Sequence, residues 1–335
     1  MLRSMYSGIS GLKANQVKLD VIGNNIANVG TTAFKTQRVR FQDMLSQSLK
    51  GATGPSTNTG GTNPSQVGLG TQVSGIDSTM TQGNMQPTSR NLDFAVDGEG
   101  YFVVARGSMG DGEGIVIGEG GVIDTENADG ENTLELSYTR DGAFTLDEFG
   151  QLVTSDGYRV MGYSLEGSEI EYDDETGKPV IDEAVNVNEP GVTIETTGNL
   201  VPLAIPDEVA GLRVKSFSVD KNGLIKVVLS DNSVRGIGQL ATASFKNPAG
   251  LSKDGKNLYS STANSGQAVF RSGVGADESN EAGYGDVIQG MLEMSNVDLA
   301  EQFTEMIVAS RAFQANGKII TTGDEILQEL VNLKR

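Results

Sequence analysis

The stretch 292–333, LEMSNVDLAEQFTEMIVASRAFQANGKIITTGDEILQELVNL, carries Leu292, Leu299, Met306, Phe313, Ile320 and Leu327 at an unbroken seven-residue spacing. Such a repeat draws one apolar stripe along a helix and asks for a second helix to lie against it. The first 30 residues carry a shorter version: Leu2, Met5, Ile9, Leu12, Leu19 and Ile26, at steps of three, four or seven. With Phe303 and Val331, these positions form the expected interface of two terminal coiled-coil helices, over 1–30 and 287–335. Everything between them reads as β-structure. The expected fold class is mainly β with α-helical termini, an elongated assembly subunit rather than a self-contained enzyme.

Composition narrows the chemistry. The chain has 335 residues, enough for two or three cores, since single cores stop growing near 250 to 300 residues. Its 44 glycines follow no G-X-Y period and so belong to turns and loops. Cys and His are both absent, which removes Cys/His zinc sites, thiol nucleophiles, Ser-His-Asp triads and disulfides. The net charge of -19 argues against nucleic acid as a partner. Residues 1–50 are nevertheless net basic, and 290–335 net acidic, which suits pairing of the two ends. Neither a secretory signal pattern nor an apolar run of membrane-spanning length occurs, so membrane insertion is not expected.

Along the chain, the first helix is expected from about Leu2 to Ala27. Gly8, Gly11 and Gly23 weaken it, so it needs packing partners. Asn24, Asn25 and Asn28, then Gly30, supply its stop. Residues 31–75 read as a linker or strap, because 51–70 is Gly, Thr, Ser, Asn and Pro with almost nothing apolar. A β-rich domain is expected over 76–165 and 210–286. Within it, 92–96 and 101–104 read as a hairpin about Asp97-Gly98-Glu99-Gly100. Phe144–Asp147 with Gly150, and Phe217–Asp220 with Gly223, repeat one turn pattern and predict two related hairpins. Residues 166–209, with 111–135, read as acidic outer excursions, the former as a possible small inserted domain. The last helix is expected once the period-two pattern ends after Gly283.

The acidic clusters do not make a site. Asp173-Asp174-Glu175 lacks the calcium-loop spacing, and no P-loop or complete dinucleotide fingerprint occurs. No catalytic, cofactor-binding or metal-binding residue is assigned, and no cofactor is expected.

At both ends the residues also resemble a known family. Ser10-Gly11-Leu12 through Asn24-Asn25-Ile26-Ala27-Asn28, then Thr32-Ala33-Phe34-Lys35, resembles the N-terminal signature of bacterial flagellar rod and hook proteins. That family usually has Gly where Ala33 stands. Ser295-Asn296-Val297-Asp298 through Ser310-Arg311-Ala312-Phe313 and Asn316 resembles its C-terminal half. Leu92–Gly98 and Tyr138–Phe144 agree as well. The signature positions are thus Asn24, Asn25, Asn28, Asn296, Asp298 and Asn316. Phe41–Leu45, Gly60–Gly70 and Gly238–Tyr259 are most similar to the family's hook branch, with its distal-rod branch as the alternative. The resemblance implies a subunit exported through the flagellar type III apparatus without a cleaved signal. It implies self-assembly into a helical tube at the basal body or hook, outside the cell, with the terminal helices innermost. In the hook reading the tube is a flexible joint carrying torque from rod to filament, in contact with rod, hook-cap and hook–filament junction proteins. In the rod reading it is a rigid drive shaft.

Overall fold

The stop signals after the first helix act as the sequence implies. In the computed structural model α1 spans Leu2–Ala27. Asn28 Nδ2 donates to the Asn24 carbonyl and to Asn24 Oδ1, both at 2.9 Å, and Thr31 Oγ1 donates to Asn28 Oδ1 at 3.1 Å. The Asn24 carbonyl also takes the last regular helical bond, from the Asn28 N–H at 3.1 Å, and the turn then tightens, with Val29 N–H donating to the Ile26 carbonyl at 3.4 Å. The structure describes the chain apart from residues 1, 56, 58–59, 108–113, 119–120, 124–133, 169, 173–177, 182–183, 188–195, 272–284 and 334–335. It divides into two units, 1–81 with 296–335, and 82–295.

The first unit contains α1, four strands and a long helix: β1 (Gln37–Asp43), β2 (Ser46–Lys50), β3 (Ser65–Gly68), β4 (Thr71–Ser78) and α2 (Leu299–Leu333). β1 runs antiparallel to β4, from Gln37↔Ser78 to Asp43↔Thr71. β2 runs antiparallel to β3, from Ser46↔Gly68 to Lys50↔Ser65, and Thr53 and Thr62 exchange two further backbone bonds at 3.0 Å. Within the expected linker or strap over 31–75, residues 37–43, 46–50, 65–68 and 71–75 are thus paired strands, with β2 and β3 a fully exposed ribbon. Ser, Thr and Gln side chains are compatible with extended backbone, and the ladder satisfies N–H and C=O groups without any core. α2 opens at Asp298, whose Oδ1 accepts from the N–H groups of Ala300 at 2.8 Å and Glu301 at 3.3 Å. This is an N-cap, and it sets the helix start well after the expected residue 287.

Among the described residues of the second unit the strand pairings are antiparallel, with one 3-10 turn at Pro248–Gly250. Its first strands are β5 (Met85–Pro87), β6 (Phe94–Asp97) and β7 (Tyr101–Arg106). Residues 291–293 pair with β5, and 286–289 pair with β6, about Gly290 at φ +78°. Leu292 is accordingly a strand residue, not a helix position. The expected hairpin of 92–96 with 101–104 is not formed. β6 takes 286–289, while β7 takes 135–139, 159–160 and 242–243. Gly98 and Gly100, at φ +118° and +144°, turn the chain away, and their carbonyls accept hydrogen bonds from Arg140. The two echoing hairpins do form. Thr145–Leu146 pairs with Leu152–Val153, Val219 pairs with Ile225, and the N–H groups of Gly150 and Gly223 both donate to an Asp carbonyl three residues back.

The core centres on Phe94, Phe102 and Phe144, with ring centroids 6.0 and 5.3 Å from Phe144. Ile170, Ile181, Val201, Leu203 and Val209 join Ile225, Leu229 and Ile237 in that same core. The described part of 166–209 is therefore integral to the β-unit and not an inserted domain. Most of the predicted acidic tips, Asp173–Glu175, Asp182, Glu183, Glu189 and much of 111–135, lie outside the described residues. On the other side of β7, Tyr101, Tyr138, Phe245 and Tyr259 form edge-on contacts with centroids 4.8–5.8 Å apart.

Candidate assembly interface

Small residues on α1 let the two terminal helices approach closely. Within the first unit they run antiparallel. Met5 packs on Gly323, Gly8 lies against Ile320, and Gly11 against Asn316. Further along, Lys18 Nζ is 3.5 Å from Glu305 Oε2, and Asn25 Nδ2 donates to Gln302 Oε1 at 3.0 Å. A Cβ at Gly11 would sit 2.7 Å from Asn316 Nδ2. Of the three glycines that weaken α1 in isolation, Gly11 thus gains a contact that a larger residue would crowd, whereas a Cβ at Gly8 would make ordinary contact at 3.4 Å and one at Gly23 would meet nothing.

The predicted stripe is divided by this packing. Met5, Leu12, Leu19, Ile26, Met306, Ile320 and Leu327 are half-buried, while Ile9, Leu299, Phe303, Phe313 and Val331 remain exposed. Leu2 opens α1, but its side chain lies outside what is described. The division has a geometric cause. An ideal helix drifts about 20° per heptad against a seven-residue repeat, so a straight α2 cannot turn every stripe residue toward one partner. At about 100° per residue, Gln302, Glu305, Ala309, Asn316 and Ile320 point at α1. Leu299, Phe303, Phe313 and Val331 then fall to one side of that line, and Val308, Ile319, Ile326, Leu330 and Leu333 to the other. All nine are exposed. Sequence reasoning missed the second flank, along with the buried Ala14, Val21, Ile22 and Ala309 that hold the pair together. A 3.6-residue period finds them where a strict seven does not.

The signature residues are structural ties. Buried Asn25 donates to the Gln37 carbonyl at 2.8 Å and accepts from the Gln37 N–H at 3.0 Å, fastening the end of α1 to the start of β1. Asn296 Oδ1 accepts from the N–H and Oγ1 of Thr36, at 2.7 and 2.6 Å. Its Nδ2 donates to the carbonyls of Thr79 and Thr81, at 2.9 and 3.1 Å. Buried Lys35 donates to the Thr81 carbonyl at 2.9 Å. Asn24 and Asn28 cap α1, Asp298 caps α2 and Asn316 seats on Gly11. The arrangement fixes where the two helices leave the strands. Among the described residues, no group of three or more His, Cys, Asp or Glu side chains could hold a metal ion.

Family models match three stretches of the chain: "Flagella basal body rod protein" over 5–35, "Flagellar hook protein FlgE/F/G D1 domain" over 116–227, and "Flagellar basal body rod FlgEFG protein C-terminal" over 288–333. The flagellar basal-body rod protein FlgG of Bacillus subtilis is 42% identical over 335 residues, covering all of both chains. The chain belongs to the flagellar rod/hook family. The flagellar hook protein FlgE of Borreliella burgdorferi is 33% identical over an alignment of 473 positions, and that organism's FlgG is 32% identical over 337. A crystal structure of Helicobacter pylori flagellar hook protein FlgE2 overlaps 62% of this chain and all of that one, at TM-score 0.38 and 10% identity, too distant to inform detail. The rod/hook family is a structural component of the flagellum and is not known as an enzyme. Its first matched segment includes most of α1 and its last includes all of α2, and none of the described helices is long and apolar enough to cross a membrane.

Proposed function

We propose that the chain is the distal rod subunit, polymerising through α1 and α2 into a rigid helical shaft that passes torque outward. The observation that carries this reading is the full-length, length-matched alignment with a rod protein at 42% identity. The hook relative needs 473 aligned positions against the 335 residues present here. The ribbon at 46–68 adds physical support. A paired ladder resists bending more than the Gly/Ser-type strap that a flexible joint would use. The two apolar flanks of α2 support self-assembly, because contacts between unlike patches repeat along a polymer instead of closing a dimer. Other copies, adjoining rod and hook subunits, and the flagellar export apparatus are the partners in this reading. The hook reading stays as the alternative on the strength of the 33% identity to a hook protein. Gold-labelled antibody on purified hook–basal bodies tests the choice. Label on the rod is the expected result, and label along the curved segment outside the cell overturns it.

A further inference from the structure

Three of the quoted sequence stretches converge on one buried ion pair inside the second unit. Arg140, from Tyr138–Phe144, is almost fully buried, and its Nη1 lies 3.3 Å from Glu293 Oε2, whose side chain is fully buried. Arg140 Nε donates to the Gly100 carbonyl at 2.8 Å and Nη2 donates to the Gly98 carbonyl, both in the loop after β6. Its guanidinium carbon stands 5.4 Å from the centre of the Tyr101 ring. Glu293 Oε1 accepts the Gly83 N–H at 2.8 Å. One carboxylate–guanidinium pair thereby ties the segment before β5, the strand 291–293, the loop 97–100 and the strand 135–139 to one another.

The place of this pair in the chain is what gives it meaning. The chain enters the second unit at Gln82 and leaves it at Ser295, so both covalent connections to the helical unit begin within a few residues of Gly83 and Glu293. The ladder there is short, Met85–Pro87 against Met291–Glu293, continued by Met294 N–H to the Asn84 carbonyl at 2.8 Å. So short a two-stranded ladder is marginal by itself. Gly83 is pressed against the returning chain, where a Cβ would lie 2.0 Å from the Met294 carbonyl oxygen.

We infer that Arg140 and Glu293 form a latch that holds this entry ladder to the β-core, so that force arriving along either connection reaches the whole second unit. Removing one member leaves the other charge buried without its partner, which loosens the residues it ties. Replacing both by apolar residues of similar size removes that penalty and keeps the packing.

The test is amide hydrogen exchange on the full-length chain, comparing Glu293→Gln, Arg140→Met and the double change Arg140→Met/Glu293→Met. In each single variant, exchange at 83–86 and 291–294 should rise on the order of 100-fold, while Val160, Ile225 and Leu229 keep their protection. The double variant should recover most of the loss. Unchanged exchange at the ladder overturns the latch. So does an equal loss across the whole second unit, including its complete unfolding, because the pair is then a general core element. A second measurement rests on the drive-shaft reading. Cells carrying Glu293→Gln should assemble basal bodies in normal number but lose rotation preferentially in viscous medium. Normal rotation at every viscosity overturns the mechanical role. Absence of the protein from the rod refutes the shaft reading and leaves the exchange result standing.

Discussion

Replacing Val308, on one flank of α2, and its neighbour Ile307, which faces away from α1, together by Ala measures what the exposed apolar surface of α2 contributes to assembly. Both side chains are 59% exposed in the single chain, so most of their surface is available to a neighbour. The double change removes five carbons, each worth about 0.8 kcal/mol when fully buried. Scaled to the exposed fraction, the loss is about 2 kcal/mol per copy, or roughly a thirtyfold rise in the critical concentration. Ala is a better helix former than Ile or Val, so the isolated chain should keep or slightly raise its helix content. Sedimentation of polymer from a concentration series reads the critical concentration, and far-ultraviolet circular dichroism reads the helix. An unchanged critical concentration with normal helix content would refute the argument that this exposed surface of α2 meets other copies.

Asn25→Ala should destabilise the first unit by about 2 kcal/mol, because the half-buried backbone of Gln37 and the buried Gln302 side chain lose their hydrogen bonds; Asn28→Ala, nearer the surface, should cost under half of that in denaturant titrations. Gly142→Ala should lower the melting temperature of the second unit sharply, since its Cβ would fall 1.9 Å from the Phe94 carbonyl oxygen, on backbone that cannot yield. Burial pushes the Tyr138 hydroxyl up from 10 to about 12, and Tyr163, Tyr172 and Tyr259 are pushed the same way chiefly by burial. The unfolded chain then releases these protons first, so stability is full below pH 10 and falls between pH 10 and 12, by about 1.4 kcal/mol per pH unit for each tyrosine. Denaturant midpoints across that range check it, and Tyr138→Phe should make the fall shallower.

Local signals in the sequence were readable where one short segment decides its own structure. Asn24–Asn28 stops α1, and the Asp-to-Gly turns at 147–150 and 220–223 close hairpins, because the interacting groups lie within a few residues. Long-range pairing was not readable. Nothing in Phe94–Asp97 names Asp286–Gln289 as its partner, and Asp97-Gly98-Glu99-Gly100 imitates a hairpin turn while serving Arg140 instead. The seven-residue stripe identified the right helix but blurred its faces, since the drift between 3.5 and 3.6 residues per turn accumulates over 35 residues. It also ran on into Leu292, where the spacing continues by chance through a strand. At 51–70 the lack of apolar residues reads as a linker or strap, although a ladder can form from backbone groups alone. Of the interface, the signature asparagines were visible as a pattern, but their role as ties needed coordinates.

Because both ends of the chain build the first unit, its folding order is constrained. Asn25 and Gln302 meet across 277 residues, and closing a flexible loop of that length costs roughly 5 kcal/mol in chain entropy. The β-unit between them brings its own entrance and exit together, with Gly83 against Met294. Once that unit has folded, the helices have only short tethers left to close. The middle of the chain therefore acts as a template for its ends.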